Sequence, residues 1–186
     1  MAAMKLTRVG HINLRVADQE LSKWFYCDVL GFQVAEEDPD HGGVFLTLGD
    51  DFHTLDLGQH PRPEQAQKPR RDQIGLLHIA FQVGSYADLR EAYVSLLENG
   101  IEIDNATEHV NQRSFYFRDP DGNRLEIYYE IPGSLKLFPN GRGDEDKDLD
   151  VSEPDEPLPA WLLEDWPTPE HRARIEATLA ANGRRA

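Results

Sequence analysis

The sequence predicts an α+β fold built from two β-α-β-β-β modules around a metal site, followed by a C-terminal extension. Three observations predict it. The strand-like motif His11-Ile12-Asn13-Leu14-Arg15-Val16 returns as His78-Ile79-Ala80-Phe81-Gln82-Val83. A helix-like run closed by a glycine follows each copy, at Val29-Leu30-Gly31 and at Leu97-Glu98-Asn99-Gly100. Three short strand candidates then follow each helix. Such a repeat implies two copies of one supersecondary unit, whose equivalent side chains can meet at a shared axis.

Residues 7–16 alternate as a strand, with Ile12, Leu14 and Val16 on one face and His11, Asn13 and Arg15 on the other. Residues 18–30 read as an amphipathic helix. Asp18 is its N-cap, Leu21, Trp24, Phe25 and Val29 form its apolar stripe, and Gly31 ends it. Strands are expected near 31–37, 43–49 and 52–58, separated by Pro39, Gly42-Gly43 and Asp50-Asp51. The polar segment 60–74, with Pro61, Pro63 and Pro69, reads as a linker or flap.

The pattern restarts with a strand over 76–83, where Leu77, Ile79, Phe81 and Val83 face away from His78, Ala80 and Gln82. Ser85 caps a helix running to about Asn99, and Gly100 closes it. Strands follow near 101–107, 113–118 and 123–130, the last two joined by the turn Asp119-Pro120-Asp121-Gly122-Asn123. One domain over 5–130 is therefore expected, with modules over about 5–59 and 75–130. The acidic extension 131–186 differs. Residues 139–159 read as an extended or mobile arm, the charge run at 144–148 as a solvated tail, and 169–181 as a short helix. Trp161, Leu162, Leu163 and Trp166 form an apolar cluster that needs a surface, on this domain or on a neighbouring subunit.

Bulk properties set limits on function. Asp and Glu total 34 against 19 Lys and Arg, a net charge of -15, which argues against nucleic acid or an anionic membrane as a general partner. The single cysteine, Cys27, fits a reducing compartment and reads as a buried structural thiol. The N-terminus lacks the apolar core of a signal peptide, and no run approaches the ~20 apolar residues of a membrane span. A soluble, cytoplasmic protein is expected.

His11, His78 and Glu126 are the candidate metal ligands. Both histidines lie on the strand face opposite the apolar residues, and Glu126 alternates with Leu125 and Ile127. Two imidazoles and one carboxylate on one side of an octahedral ion leave the other side open, which suits Fe(II) binding both a substrate and O₂. The equivalent placement of the two histidines sets them apart from ordinary solvated strand residues. His41 and His60 read as surface residues.

With these residues the chain resembles the vicinal oxygen chelate superfamily, which includes glyoxalases, bleomycin resistance proteins and dioxygenases. The matching motifs are the paired His-Ile-x-(Leu/Phe)-x-Val strands, Phe25-Tyr26-Cys27-Asp28-Val29-Leu30-Gly31-Phe32, and Phe117-Arg118-Asp119-Pro120-Asp121-Gly122-Asn123-Arg124-Leu125-Glu126. The resemblance covers about residues 5–130 and implies a half-barrel of two modules around the metal. Tyr116, ten positions before Glu126, is similar to the active-site tyrosine of the type I extradiol ring-cleaving dioxygenases. His109, in the preceding loop, is similar to that branch's loop histidine, and His53 to the strand histidine that faces O₂.

The resemblance implies an Fe(II)-dependent extradiol dioxygenase, with Mn(II) or another divalent metal as the alternative. It implies a small aromatic diol and O₂ as substrates. The Trp161/Trp166 cluster leads us to expect a homo-oligomer, and charge and hydropathy to expect neither nucleic acid nor membrane as partner. His53, His109 and Tyr116 would carry the proton transfers. The alternative activity is a glyoxalase-like isomerase, lyase or epimerase. Those relatives usually add a fourth ligand, often a glutamate, on the last strand of the first module. Residues 52–58 hold no Glu or Gln, and Asp56, the nearest carboxylate, is opposite in parity to His53. An antibiotic-binding module is the third reading, and a complete ligand triad argues against it.

Overall fold

The computed structural model describes residues 4–49, 51–70, 72–109, 111–132, 146–151 and 173. The chain divides into two compact units, residues 1–75 with 119–123, and residues 76–118 with 124–186.

The first unit contains β1 (Ile12–Val16), α1 (Gln19–Trp24), β2 (Gln33–Asp38), β3 (Gly43–Thr47) and β4 (Leu55–Gln59). Its sheet runs β1-β4-β3-β2, with β1 parallel to β4 and the other pairs antiparallel. The first strand is shorter than the alternation of 7–16 predicts, because pairing begins only at Ile12, opposite Leu55. Alternation within it holds: Leu14 and Val16 are buried, Asn13 and Arg15 exposed. Asp18 caps α1, its Oδ1 accepting from the Leu21 amide at 3.0 Å.

After Trp24 the helix widens into a π turn over Phe25–Val29, which ends at Gly31 with φ +81°. The buried face is Ser22, Phe25 and Tyr26. Leu21 and Trp24, expected in the stripe, flank that face at 46% and 41% exposure. Cys27 is half-buried rather than buried. Leu14, Val16, Phe25, Tyr26, Phe32, Val44, Leu46, Leu55 and Leu57 form this unit's core. Each contributes about 1.5–3 kcal/mol on full burial.

The turn Asp119–Asn123 belongs to this unit. The Tyr26 hydroxyl donates to Asp119 Oδ2 at 2.9 Å, and Asp119 also accepts from the amides of Asp121 and Asn123. Burial pushes both the Tyr26 phenol and the Asp119 carboxyl above their ordinary values.

The second unit contains β5 (Ile79–Val83), α2 (Tyr86–Glu98), β6 (Ile103–His109), β7 (Gln112–Arg118), β8 (Arg124–Glu130) and β9 (Lys147–Asp148). Its sheet runs β5-β8-β7-β6-β9, so the first four strands repeat the order of the first unit. The parallel pair recurs at β5/β8, and a register shift recurs in the second strand, between Val34 and Glu36 and between Ile103 and Asn105. Ser85 caps α2 through the Asp88 amide, and Gly100 closes it with φ +74°. Pairing starts at Ile79, so Leu77 lies outside the strand and is exposed. Arg113 and Glu108 form a buried pair at 2.6 Å, and the Arg113 guanidinium lies 4.8 Å from the Tyr86 ring centroid.

The described residues of the acidic extension add a strand to this sheet. β9 pairs with β6, and Leu149 and Val151 are buried at 7% and 2% exposure. Asp146, Lys147 and Asp148 are exposed as a charge run should be, yet they flank or form a strand rather than a free arm. The Trp161–Trp166 cluster and the expected helix over 169–181 lie outside the described residues, apart from Ala173. No helix among the described residues is long and apolar enough to cross a membrane.

Candidate functional site

His11 and His78 each stand immediately before a five-residue strand, β1 and β5. Each of these strands pairs in parallel with the last module strand, β4 or β8. The repeat therefore places the two imidazoles at equivalent points of two equivalent strand pairs.

In the first unit His11, His53 and Asp56 gather. One ligand atom from each lies within 4.8 Å of the others. His53 Nδ1 is hydrogen-bonded to Asp56 Oδ1 at 2.5 Å, and His11 Nε2 lies 3.6 Å from Asp56 Oδ2. The His11 and His53 rings stack at 4.4 Å, and Phe45 and Phe52 meet the His53 ring edge-on at 5.4 and 5.2 Å. His53 is thus clamped on several sides. Asp56 is 3% exposed and also accepts from Asn13 Nδ2 at 3.5 Å.

In the second unit His78, Glu126, Tyr116 and His109 line one sheet face. Tyr116 pairs across β7/β8 with Glu126. His78 Nε2 lies 3.0 Å from Glu126 Oε2, while Glu126 Oε1 accepts from Gln112 Nε2 at 3.1 Å. His109 Nε2 is hydrogen-bonded to the Tyr116 hydroxyl at 3.0 Å. Its Nδ1 lies 3.1 Å from Asp146 Oδ1, at ion-pair rather than hydrogen-bond geometry. The Arg124 guanidinium covers the Tyr116 ring, 4.1 Å from its centroid. Burial, chiefly, pushes the Tyr116 phenol above its ordinary value, so it stays a proton donor at neutral pH.

Among the described residues, His11, His53 and Asp56 form a group that could hold a metal ion, and the His78–Glu126 pair has the spacing of two ligands. Two cis ligands, each about 2.1 Å from one ion, stand about 3 Å apart, which matches the separation of His78 and Glu126. The 2.5 Å between His53 and Asp56 is too short for two separate ligands and marks a direct hydrogen bond. Imidazole and carboxylate donors suit iron, manganese and zinc alike.

The structure moves two site residues from where the sequence placed them. His109 is the last residue of β6, facing Gln112, not a loop residue. Asp56 is a neighbour of His53 despite the opposite parity, because β4 begins at Leu55 and His53 lies in the bent segment before it, where alternation does not apply. The sequence pattern assigns no site role to Gln112, Arg124 or Asp146. For Asp56 a signal existed: Leu55-Asp56-Leu57 repeats Leu125-Glu126-Ile127.

The sequence model described as the Glyoxalase/Bleomycin resistance protein/Dioxygenase superfamily matches residues 8–127. Catechol-2,3-dioxygenase of Bacillus subtilis (strain 168) is 33% identical over 135 residues, 69% of this chain and 43% of that protein. The chain therefore spans less than half the length of that relative. Biphenyl-2,3-diol 1,2-dioxygenase 2 of Rhodococcus globerulus is 29% identical over 137 residues, 72% of this chain and 70% of that protein. The crystal structure of a glyoxalase/dioxygenase from Nostoc punctiforme superposes with a TM-score of 0.57 at 25% identity, covering 70% of this chain and 99% of the other. The recurring strand order, the paired histidines and the match across both modules lead to one conclusion: the chain belongs to the glyoxalase/bleomycin resistance protein/dioxygenase superfamily.

Proposed function

We propose that this chain is an extradiol dioxygenase that uses Fe(II), or Mn(II) in its place, to open a catechol-type ring beside its diol. His11, His78 and Glu126 would hold the ion. The observation that carries the reading is the set His78–Glu126 and His109–Tyr116 on a single sheet face, where a ligand pair stands beside a phenol–imidazole pair. The similarity to catechol and biphenyl-diol dioxygenases supports it. In the overall reaction both atoms of O₂ enter the substrate, and the bond next to the diol breaks to give a ring-opened semialdehyde acid.

A bound Fe(II) would supply a common meeting point for the diol oxygens and O₂ and a path for electron density between them. The chain's own residues do the rest. Tyr116, kept protonated by burial, would donate its single O–H to His109 Nε2 and accept a hydrogen bond from a substrate hydroxyl. His109 Nε2 exchanges a proton with the Tyr116 hydroxyl. Asp56 orients His53, whose free ring nitrogen would serve the O₂ side. Gln112 holds Glu126 Oε1 and leaves Oε2 toward His78.

Anaerobic purification with metal analysis, followed by a catechol panel in an oxygen electrode, tests the reading. Iron or manganese near one per chain, O₂ uptake and a new visible absorbance are expected. Full loading without uptake on any catechol would overturn it. The cluster of His11, His53 and Asp56 favours a second reading, a metal-dependent isomerase or lyase in which Asp56 adds a fourth ligand. Tightly held zinc or nickel, released on replacing Asp56, would select it.

A further inference from the structure

We propose that Asp146, carried by the C-terminal extension, is a positioning residue that fixes the tautomer and orientation of His109 toward Tyr116. The proposal rests on reading His109 and Tyr116 as a proton-exchanging pair, and its spectroscopic test is independent of turnover. Asp146 sits directly before β9. The antiparallel register pairs Thr107 with Asp148 and Glu108 with Lys147, so the next step sets Asp146 opposite His109. There its Oδ1 lies 3.1 Å from His109 Nδ1, while His109 Nε2 meets the Tyr116 hydroxyl at 3.0 Å.

The placement is held by more than this one pair. The Leu149 amide donates to the Ala106 carbonyl at 3.2 Å, and Arg90 Nε donates to the Val151 carbonyl at 3.3 Å. Leu149 and Val151 are buried. The extension therefore docks through main-chain and apolar contacts and presents Asp146 as a consequence. The His109 side chain is 13% exposed and Asp146 45%, so the carboxylate closes the outer side of a largely enclosed ring.

The chemistry follows from the donor inventory. A neutral imidazole carries one N–H, and a carboxylate can only accept. Asp146 meets Nδ1 at ion-pair rather than hydrogen-bond geometry, and its negative charge 3.1 Å away favours a proton on Nδ1, which leaves the Nε2 lone pair to accept from the Tyr116 hydroxyl. Without the carboxylate the two tautomers mix, and the Nε2–H form cannot accept from Tyr116.

The test uses the full chain. In ¹⁵N spectra of its imidazoles, with His109 assigned by its loss in H109Q, the wild type shows the Nδ1–H form. Asp146→Ala shifts the His109 signals toward the tautomer average, and Asp146→Glu returns them. In the catechol assay Asp146→Ala lowers kcat about tenfold or more, the scale seen when a carboxylate that orients a histidine is lost. KM and metal content stay unchanged, and Asp146→Glu restores kcat. Unchanged His109 signals in Asp146→Ala would overturn the proposal, as would a shift that Asp146→Glu does not reverse. A wild type inert toward every catechol would sink the dioxygenase reading alone, and the tautomer shift would still decide the role of Asp146.

Discussion

Asp56 and Glu126 hold the same position in two copies of one strand pair. Asp56 faces Asn13, two residues beyond His11, and Glu126 faces Ala80, two residues beyond His78. Both are 3% exposed. Their partners have diverged. Asp56 is hydrogen-bonded to His53, whereas Glu126 lies against His78 and is held by Gln112. Under the proposed function these different neighbours make Glu126 a ligand and Asp56 an orienting group.

That separation is measurable. Glu126→Ala and His78→Ala are expected to lose bound metal, whereas Asp56→Ala keeps it and loses turnover. Metal-to-protein ratios after gel filtration decide. Equal loss in Asp56→Ala and Glu126→Ala would make Asp56 a ligand and favour the isomerase reading.

His53 touches Asp56, His11 and two phenylalanine rings, and under the proposed function it would carry the proton role on the O₂ side. His53→Ala should lower kcat by about 10²–10⁴, the span of one acid–base group, with metal content unchanged. Single-turnover assays on metal-loaded protein measure it. Loss of the metal itself would reassign His53 to the coordination sphere.

Arg113 and Glu108 are nearly sealed from solvent, at 2% and 8% side-chain exposure. Arg113→Leu leaves a buried carboxylate without this partner and should destabilise the fold by about 3–5 kcal/mol. The double change Glu108→Leu with Arg113→Leu should recover much of that loss. Urea melts of the three proteins give the comparison, and a single variant as stable as wild type would contradict it.

Burial, chiefly, raises the Cys27 thiol above its ordinary value, with Asp28 adding to the shift. Less thiolate is therefore present in the folded chain than in the unfolded chain at pH 8, and the thiolate is the reactive form. Iodoacetamide should label native protein more slowly than protein in urea. Faster labelling in the native state would reverse the sign.

Local chemistry made much of the fold legible. Asp18 and Ser85 cap helices because their oxygens reach an amide three residues on, and Gly31 and Gly100 end them because the chain there needs positive φ. The repeat made the equivalence of His11 and His78 legible as well. What escaped depended on distance or irregularity. Trp24 turned outward at a change of helix type that no residue announces. Arg113 shares the strand face of Phe115 and Phe117, and its burial is compensated by partners such as Glu108 and the Tyr86 ring that strand alternation does not announce. The place of Asp146 follows from the docking of β9, a long-range contact that periodicity does not encode.

Lys147–Asp148 runs along the outer rim of β6, whereas at the matching rim of the other sheet β2 displays Glu36, Glu37 and Asp38. An open strand rim is a template for sheet growth between molecules. One rim is guarded by repulsion, which added salt weakens, and the other by occupancy, which salt leaves in place. Intermolecular strand addition at Thr107 and Glu108 must first evict the chain's own β9, so fibril growth over that end of β6 is opposed by the same short strand that brings Asp146 to His109.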